Sequence, residues 1–210
     1  MPHTERAGLR LVRHETEDRA AVSDFIRTRF VQEHGAHLHH LMPQLFSLRR
    51  PNDQIVAAFG LRAAATERLF MECYLDEPVE TRIARLSGRE VARDRIIEVG
   101  NLASSLGGAR AMIAALTRYL HEAGIEWVTF TGTVALRHAF QRLGLHPLSI
   151  AAATPDRLSD SERLLWGRYF ESQPIVMAGY VPHGYRVLSQ RQARAWKAAL
   201  ATEQCEACAS

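Results

Sequence analysis

Residues 98–116 read EVGNLASSLGGARAMIAAL: an acidic, β-branched segment, two adjacent glycines, then an apolar run at helical spacing. Adjacent glycines cost backbone entropy, so their place at a strand-to-helix junction needs a reason. One reason is chemical. A helix N-terminus has free N–H groups and a positive dipole end, and small residues let an anion approach both closely. Ser104-Ser105-Leu106-Gly107-Gly108-Ala109 fits a small pyrophosphate cradle, with Arg110 adding a charged contact from the first helical turn. The loop lacks the Lys-Ser/Thr of a nucleotide P-loop and the three glycines of a dinucleotide fingerprint. The other reason is mechanical, a tight turn that packs helix closely on sheet. Spacing alone leaves both open.

Other reactive side chains carry weaker patterns. His34, His37, His39 and His40 form H-x-x-H-x-H-H, which matches no strong zinc spacing, so they read as a surface or pocket-lid segment and no metal is expected. Cys205 and Cys208 are spaced C-x-x-C in a polar end segment that reads as a disordered tail. With Cys73 the cysteine count is odd, which excludes a disulfide framework and favours a reduced, cytoplasmic setting. His138 and Arg142, four apart, read as a solvated helix face, and Tyr119 as core.

The elements that must hold these residues follow from periodicity. GLRLVRH (8–14) reads as a strand and 17–35 as an amphipathic helix closed by Gly35. Residues 36–44 read as a short helix or loop. Residues 45–63 read as an antiparallel hairpin turning at Pro51-Asn52-Asp53. Residues 68–78 fit strand or helix equally, and 79–88 a short helix. From 93 the chain reads strand, glycine turn, helix (108–124), strand (126–133), helix (135–144), strand, an order that favours an α/β layer fold. After about residue 155 three prolines interrupt the pattern. The expected organisation is a domain over 1–154 and a C-terminal extension over 155–210 that packs on it, its residues 191–210 forming a last helix that frays into the disordered tail.

Composition narrows the class. At 210 residues and 47% hydrophobic, the chain can bury a core without disulfides or metals. The net charge is +3, but Lys197 is the only lysine and the arginines are scattered, which argues against a nucleic-acid surface. The charged N-terminus, lacking an apolar core, reads as no export signal, and no apolar run has the ~20 residues of a transmembrane helix.

Four stretches carry a family resemblance. FMECYLDEPVE, IIEVGNLASSLGGAR, WVTFTGTVALRHAFQRLGLHP and WGRYFESQPIVMAGY, spanning roughly 70–180, resemble the thermostable hemolysin family. Through it the chain is distantly similar to acyl-homoserine-lactone synthases and to the GCN5-related N-acetyltransferase (GNAT) fold. Gly107 and Ala109 match that fold's Q/R-x-x-G-x-G/A loop, whereas Ser104 departs from the usual Gln or Arg. The resemblance implies a mixed, mostly antiparallel sheet flanked by helices and an acyltransferase. The donor would be a coenzyme A or acyl carrier protein thioester and the acceptor a small-molecule amine.

Acyl transfer needs an N–H donor on the thioester carbonyl and a group to take the amine's proton. The resemblance puts the donor on a splayed strand around Leu102–Ala103, and the carrier's pyrophosphate on Ser104, Leu106, Gly107, Gly108, Ala109 and Arg110. Period-2 alternation would put Glu98, Gly100 and Leu102 on one face and Val99, Asn101 and Ala103 on the other. Glu98 is the candidate base, directly or through water, or else it caps or pairs with an arginine. Asn101 is a site residue or a strand-end hydrogen-bonder. Glu72 and Asp76 hold an ammonium acceptor or pair with Arg82 or Arg85. Thr131 and Thr133 face the cradle or cap the next helix. Trp166 and Tyr169 pack the extension and would wall an acyl tunnel. Two other classes compete: a membrane-lytic protein, as the family name says, and an inactive ligand-binding relative, which Ser104 favours.

Overall fold

Alternating and continuous apolar runs build one open sheet, seen in a computed structural model that describes residues 8–208, with side chains to Arg194. Its strands are β1 Arg10–His14, β2 Gln44–Arg49, β3 Ile55–Ala63, β4 Ile96–Ser104, β5 Trp127–Gly132, β6 Leu148–Ala152 and β7 Ile175–Tyr180. The spatial order is β1-β2-β3-β4-β5-β7-β6, and every pairing is antiparallel except β4–β5. The helices are α1 Ala20–His34, α2 Val79–Ser87, α3 Gly108–Glu122, α4 Val134–Arg142, α5 Asp160–Leu165 and α6 Val181–Cys208. This is the mixed, mostly antiparallel GNAT-like architecture expected.

Two faces are covered for different reasons. In α1 the four-residue spacing of Val22, Ile26 and Phe30 makes one apolar stripe, which packs on Leu45, Ala58 and Ala103. In α3, Met112, Ala115, Leu116 and Leu120 pack on Phe46, Phe59, Leu61, Val99 and Phe130 across the opposite face. α2 joins the α1 side through Val79 and Ile83, and α4 joins the α3 side through Phe140 stacked on Phe130.

Three local expectations change. Residues 68–78 are neither strand nor long helix but a 3-10 turn over Phe70–Tyr74. The boundary expected at 154/155 is not a boundary of the sheet, because β7 lies between β5 and β6. The last helix expected over 191–210 starts earlier, as part of α6 Val181–Cys208, and the side chains of the end expected to fray, Cys205 and Cys208 included, lie outside the described residues.

The strand that matters most is irregular. Gly60 pairs Gly100 and Ala58 pairs Ala103, so two steps along β3 face three along β4, and Asn101 takes φ 52°. This is a β-bulge, and it inverts the faces beyond it. The expected alternation therefore holds only to Gly100: Leu102 turns to the α3 side and Ala103 to the α1 side. A Cβ on Gly60 or on Gly100 would sit 2.3 Å from a Met42 side-chain atom, so the irregular 36–43 segment lies directly on the sheet here. Asn101 secures it, its Oδ1 accepting from the Met42 N–H at 2.7 Å.

Candidate active site

β4 and β5 pair only from Ile96–Trp127 to Val99–Phe130, although β4 continues to Ser104 and β5 to Gly132. Beyond Val99 the strands part, and the backbone groups of β4 that point toward β5 face the gap instead of a neighbour. A cleft of about 490 Å³ fills this gap. On the α3 side its walls are Leu102, Ala109, Met112, Thr133 and Leu136, while Thr131 on β5 faces the α1 side like its partner Val176. The other α1-side walls are Phe30, His34, Phe70, Tyr74, Trp166 and Tyr169. It thus passes through the plane of the sheet. Trp166 and Tyr169 reach it because Arg168 N–H donates to the His34 carbonyl and His37 N–H to the Leu165 carbonyl, both at 2.7 Å, docking residues 165–168 on the end of α1.

Glu98 stands where the strands part. It is 3% exposed and lines the cleft. Its two carboxylate oxygens accept from the N–H groups of Phe70 and Met71 at 2.8 Å each, so it caps the Phe70–Tyr74 turn. Burial pushes its pKa up, against those two bonds and the nearby Arg62 guanidinium. Among the described residues no arginine is hydrogen-bonded to it. Each oxygen keeps acceptor capacity after one backbone bond.

Of the residues singled out in the sequence, Glu98, Asn101, Leu102, Ser104, Ala109, Thr131 and Thr133 line the cleft, with Trp166 and Tyr169. So do His34, His37, His39 and His40; among the described residues no group of side chains has the arrangement of a metal site. Thr133 is the N-cap of α4 but makes no side-chain cap bond. Ala103 is buried under α1 instead. Leu106, Gly107, Gly108 and Arg110 lie outside the cleft, at the β4–α3 junction, with Leu106 fully exposed.

Glu72 is not brought to the cleft. Its carboxylate accepts from Leu69 N–H at 2.9 Å, Val79 N–H at 3.1 Å, and two Arg93 nitrogens at 2.8 and 2.9 Å. Burial opposes ionisation, yet the Arg93 bonds and the two amides together hold its pKa down to about 2. Arg93 also pairs with Glu80 and donates to the Ala64 carbonyl. These bonds occupy both carboxylate oxygens, so Glu72 ties the 70–74 turn to the start of α2 and to Arg93, just ahead of β4. Its partner is Arg93, not Arg82 or Arg85. Asp76 pairs with Arg157 on the exposed rim.

The paired glycines have separate structural roles. Gly107 takes φ 83° with open space around it, so it makes the turn. A Cβ on Gly108 would sit 2.5 Å from the Val56 carbonyl oxygen, which also accepts from Ser105 N–H at 2.9 Å and Ser105 Oγ at 3.0 Å. Gly108 therefore lets α3 seat on β3. The mechanical reason holds, divided between the two glycines, and the same junction presents the first-turn amides of Ala109 and Arg110, which have no intrahelical partner. Gly107→Ala is expected to cost about 1 kcal/mol, the left-handed conformation being its only fault. Gly108→Ala should cost about 1–3 kcal/mol by overpacking. Urea unfolding of both variants checks the order; equal losses would remove the steric role of Gly108.

Cleft residues that sequence reasoning missed include Phe30, Arg62, Phe70, Tyr74 and Met112. Arg62 carried no motif, and the aromatics sit at ordinary core spacing.

Comparisons with known proteins agree with this architecture. A family profile described as "Thermostable hemolysin" matches residues 12–185. No curated protein sequence matches the chain. Among solved structures, FeeM, an N-acyl amino acid synthase from uncultured soil microbes, is similar at TM-score 0.57 and 16% identity, over 84% of this chain and 93% of that one. BjaI, a CoA-dependent acyl-homoserine lactone synthase solved with SAM and isopentyl-CoA, is similar at TM-score 0.55 and 14% identity, over 88% and 89%. LasI, an AHL synthase, follows at 0.52 and 12%, over 82% and 89%. At such identities the likeness is one of fold.

Proposed function

From the premise that this chain belongs to the thermostable hemolysin family, we propose that it is an acyltransferase moving an acyl group from a phosphopantetheine thioester to an amine. The observation that carries this reading is the through-sheet cleft opening where β4 and β5 part, with a buried carboxylate on its wall. FeeM, an N-acyl amino acid synthase, and BjaI, a CoA-dependent acyl-homoserine lactone synthase, support it as proteins of similar fold.

The donor's diphosphate would lie at the Ser104–Arg110 loop, on the first-turn amides of α3 and within reach of the exposed Arg110 side chain. Its pantetheine arm would run between β4 and β5, past Leu102 and Thr131. The thioester carbonyl would accept a hydrogen bond from a β4 backbone N–H near Leu102, freed by the parting of the strands. The apolar chain would continue to the aromatic wall of Phe70, Trp166 and Tyr169. Glu98, directly or through one water, would take the proton as the amine nitrogen bonds to the carbonyl carbon. Collapse of the tetrahedral intermediate breaks the C–S bond and releases the thiol. Asn101 acts by positioning, holding the 36–43 segment over the cleft.

Thermal unfolding with coenzyme A, acetyl-CoA and a long-chain acyl-CoA tests the donor site. At a hundredfold excess over Kd, a ligand of the folded state adds about 2.7 kcal/mol. For a chain of this size that is a rise of roughly 5–10 °C in Tm. A saturable rise is expected, larger for the long-chain ligand. Absence of a shift with all three and with an acyl carrier protein thioester would overturn the donor site.

A further inference from the structure

A second charge flanks Glu98 and has no structural use as complete as that of Glu72 or Arg93. Arg62 on β3 lies directly opposite Glu98 on β4. Residues opposite one another in an antiparallel pair share a face, with Cβ atoms about 5 Å apart. Both side chains therefore lie on the α1 side, and both line the cleft. The guanidinium is not hydrogen-bonded to Glu98. Its buried Nε makes no hydrogen bond; the same atom lies 3.4 Å from the half-exposed Glu67 carboxylate, the one ion pair of Arg62 among the described residues. A side chain 23% exposed thus keeps a planar cation beside the carboxylate that faces the reacting amine.

We infer that Arg62 is the acceptor-specificity residue, holding a carboxylate next to the reacting amine so that the preferred acceptor is an α-amino acid. The inference rests on the acyltransferase reading and names its acceptor class. Two groups of opposite charge on neighbouring strands match the two ends of a zwitterion: the amine goes to Glu98 and the carboxylate to Arg62. A guanidinium suits this because it can engage both carboxylate oxygens at once. Arg62 does no chemistry on the acyl group. An amine without the carboxylate would still reach Glu98, but it would leave Arg62 without its ligand.

The test uses a matched pair of product-like ligands, N-dodecanoylglycine and N-methyldodecanamide, which differ only in the carboxylate. Equilibrium binding is measured by calorimetry on the wild type, Arg62→Gln and Arg62→Lys. The wild type is expected to bind the carboxylate at least tenfold more tightly. Arg62→Gln should lose that preference and bind the neutral amide unchanged, and Arg62→Lys should recover part of it. Equal binding of the two ligands, binding of neither, or an equal loss on both in Arg62→Gln would overturn the inference. The last is what an Arg62 serving only to balance Glu98 would give. Because no turnover is needed, a failed acyltransferase reading shows separately, as no thiol release from any acyl donor with glycine or methylamine.

Discussion

Glu98→Gln is expected to lower kcat by about 10²- to 10⁴-fold, the usual contribution of a positioned general base, while donor binding stays intact. The substitution is not innocent structurally. Glu98 accepts from two backbone N–H groups, Phe70 and Met71, and a glutamine offers one oxygen and one donor in their place. One amide then meets an amide, at about 1–3 kcal/mol of stability. Turnover and thermal unfolding measured on one preparation separate the two effects. Burial raises the Glu98 pKa, so the acid limb of the wild-type pH–rate profile should lie above the ordinary carboxylate range, with activity rising as the group ionises. Its stability contribution has the matching sign. It is full below the unfolded value of 4.5, is lost as pH rises through the higher folded value, and is missing from the Gln variant. Turnover within threefold of wild type would remove Glu98 as the base.

Arg93→Met is the substitution expected to harm the fold most, by about 3–5 kcal/mol, because it strands Glu72 as an unpaired buried carboxylate. In the wild type that carboxyl is drawn from 4.5 to about 2, chiefly by the Arg93 bonds working against burial. The shift corresponds to roughly 3 kcal/mol, present above pH 4.5 and lost as pH falls toward 2. The variant should therefore differ most from wild type at neutral pH and least near pH 3. Adding Glu72→Gln to Arg93→Met should restore part of the loss, since the stranded charge is gone. Urea unfolding at the two pH values reads all three proteins. A pH-independent loss below 1 kcal/mol would mean the pair is not coupled as its geometry implies.

The parts of this molecule that were legible in the sequence are those whose signal is local. The α3 stripe, the buried run of β5, the hairpin about Pro51 and the acidic strand holding Glu98 each announce themselves within a dozen residues. The rest depends on what arrives from elsewhere. Arg93 lies 21 positions from Glu72, beyond the reach of helical spacing, so the nearer Arg82 and Arg85 looked the natural partners. The bulge at Asn101 inserts one residue without any change of composition, so strict alternation misassigned Leu102 and Ala103. Arg62 reads as an ordinary charge near the end of a hairpin strand until β4 is paired beside it. The two glycines were legible as a junction, but their separate duties appear only once Val56 is in place.

The position of β7 has a consequence for the order in which the protein is completed. As the chain emerges, β5 and β6 are made before the strand that separates them, and β6 pairs with β7 alone. Until residues 175–180 are available, β5 presents an unpaired edge and β6 has no neighbour. The aromatic wall at Trp166 and Tyr169 emerges in the same late stretch. Nascent chains shorter than about residue 175 thus hold Glu98 and the β4–α3 junction but carry an open β5 edge, a template for pairing with another chain. The final strand therefore covers the β5 edge and gives β6 its partner in one step, just after the aromatic wall of the cavity has been made.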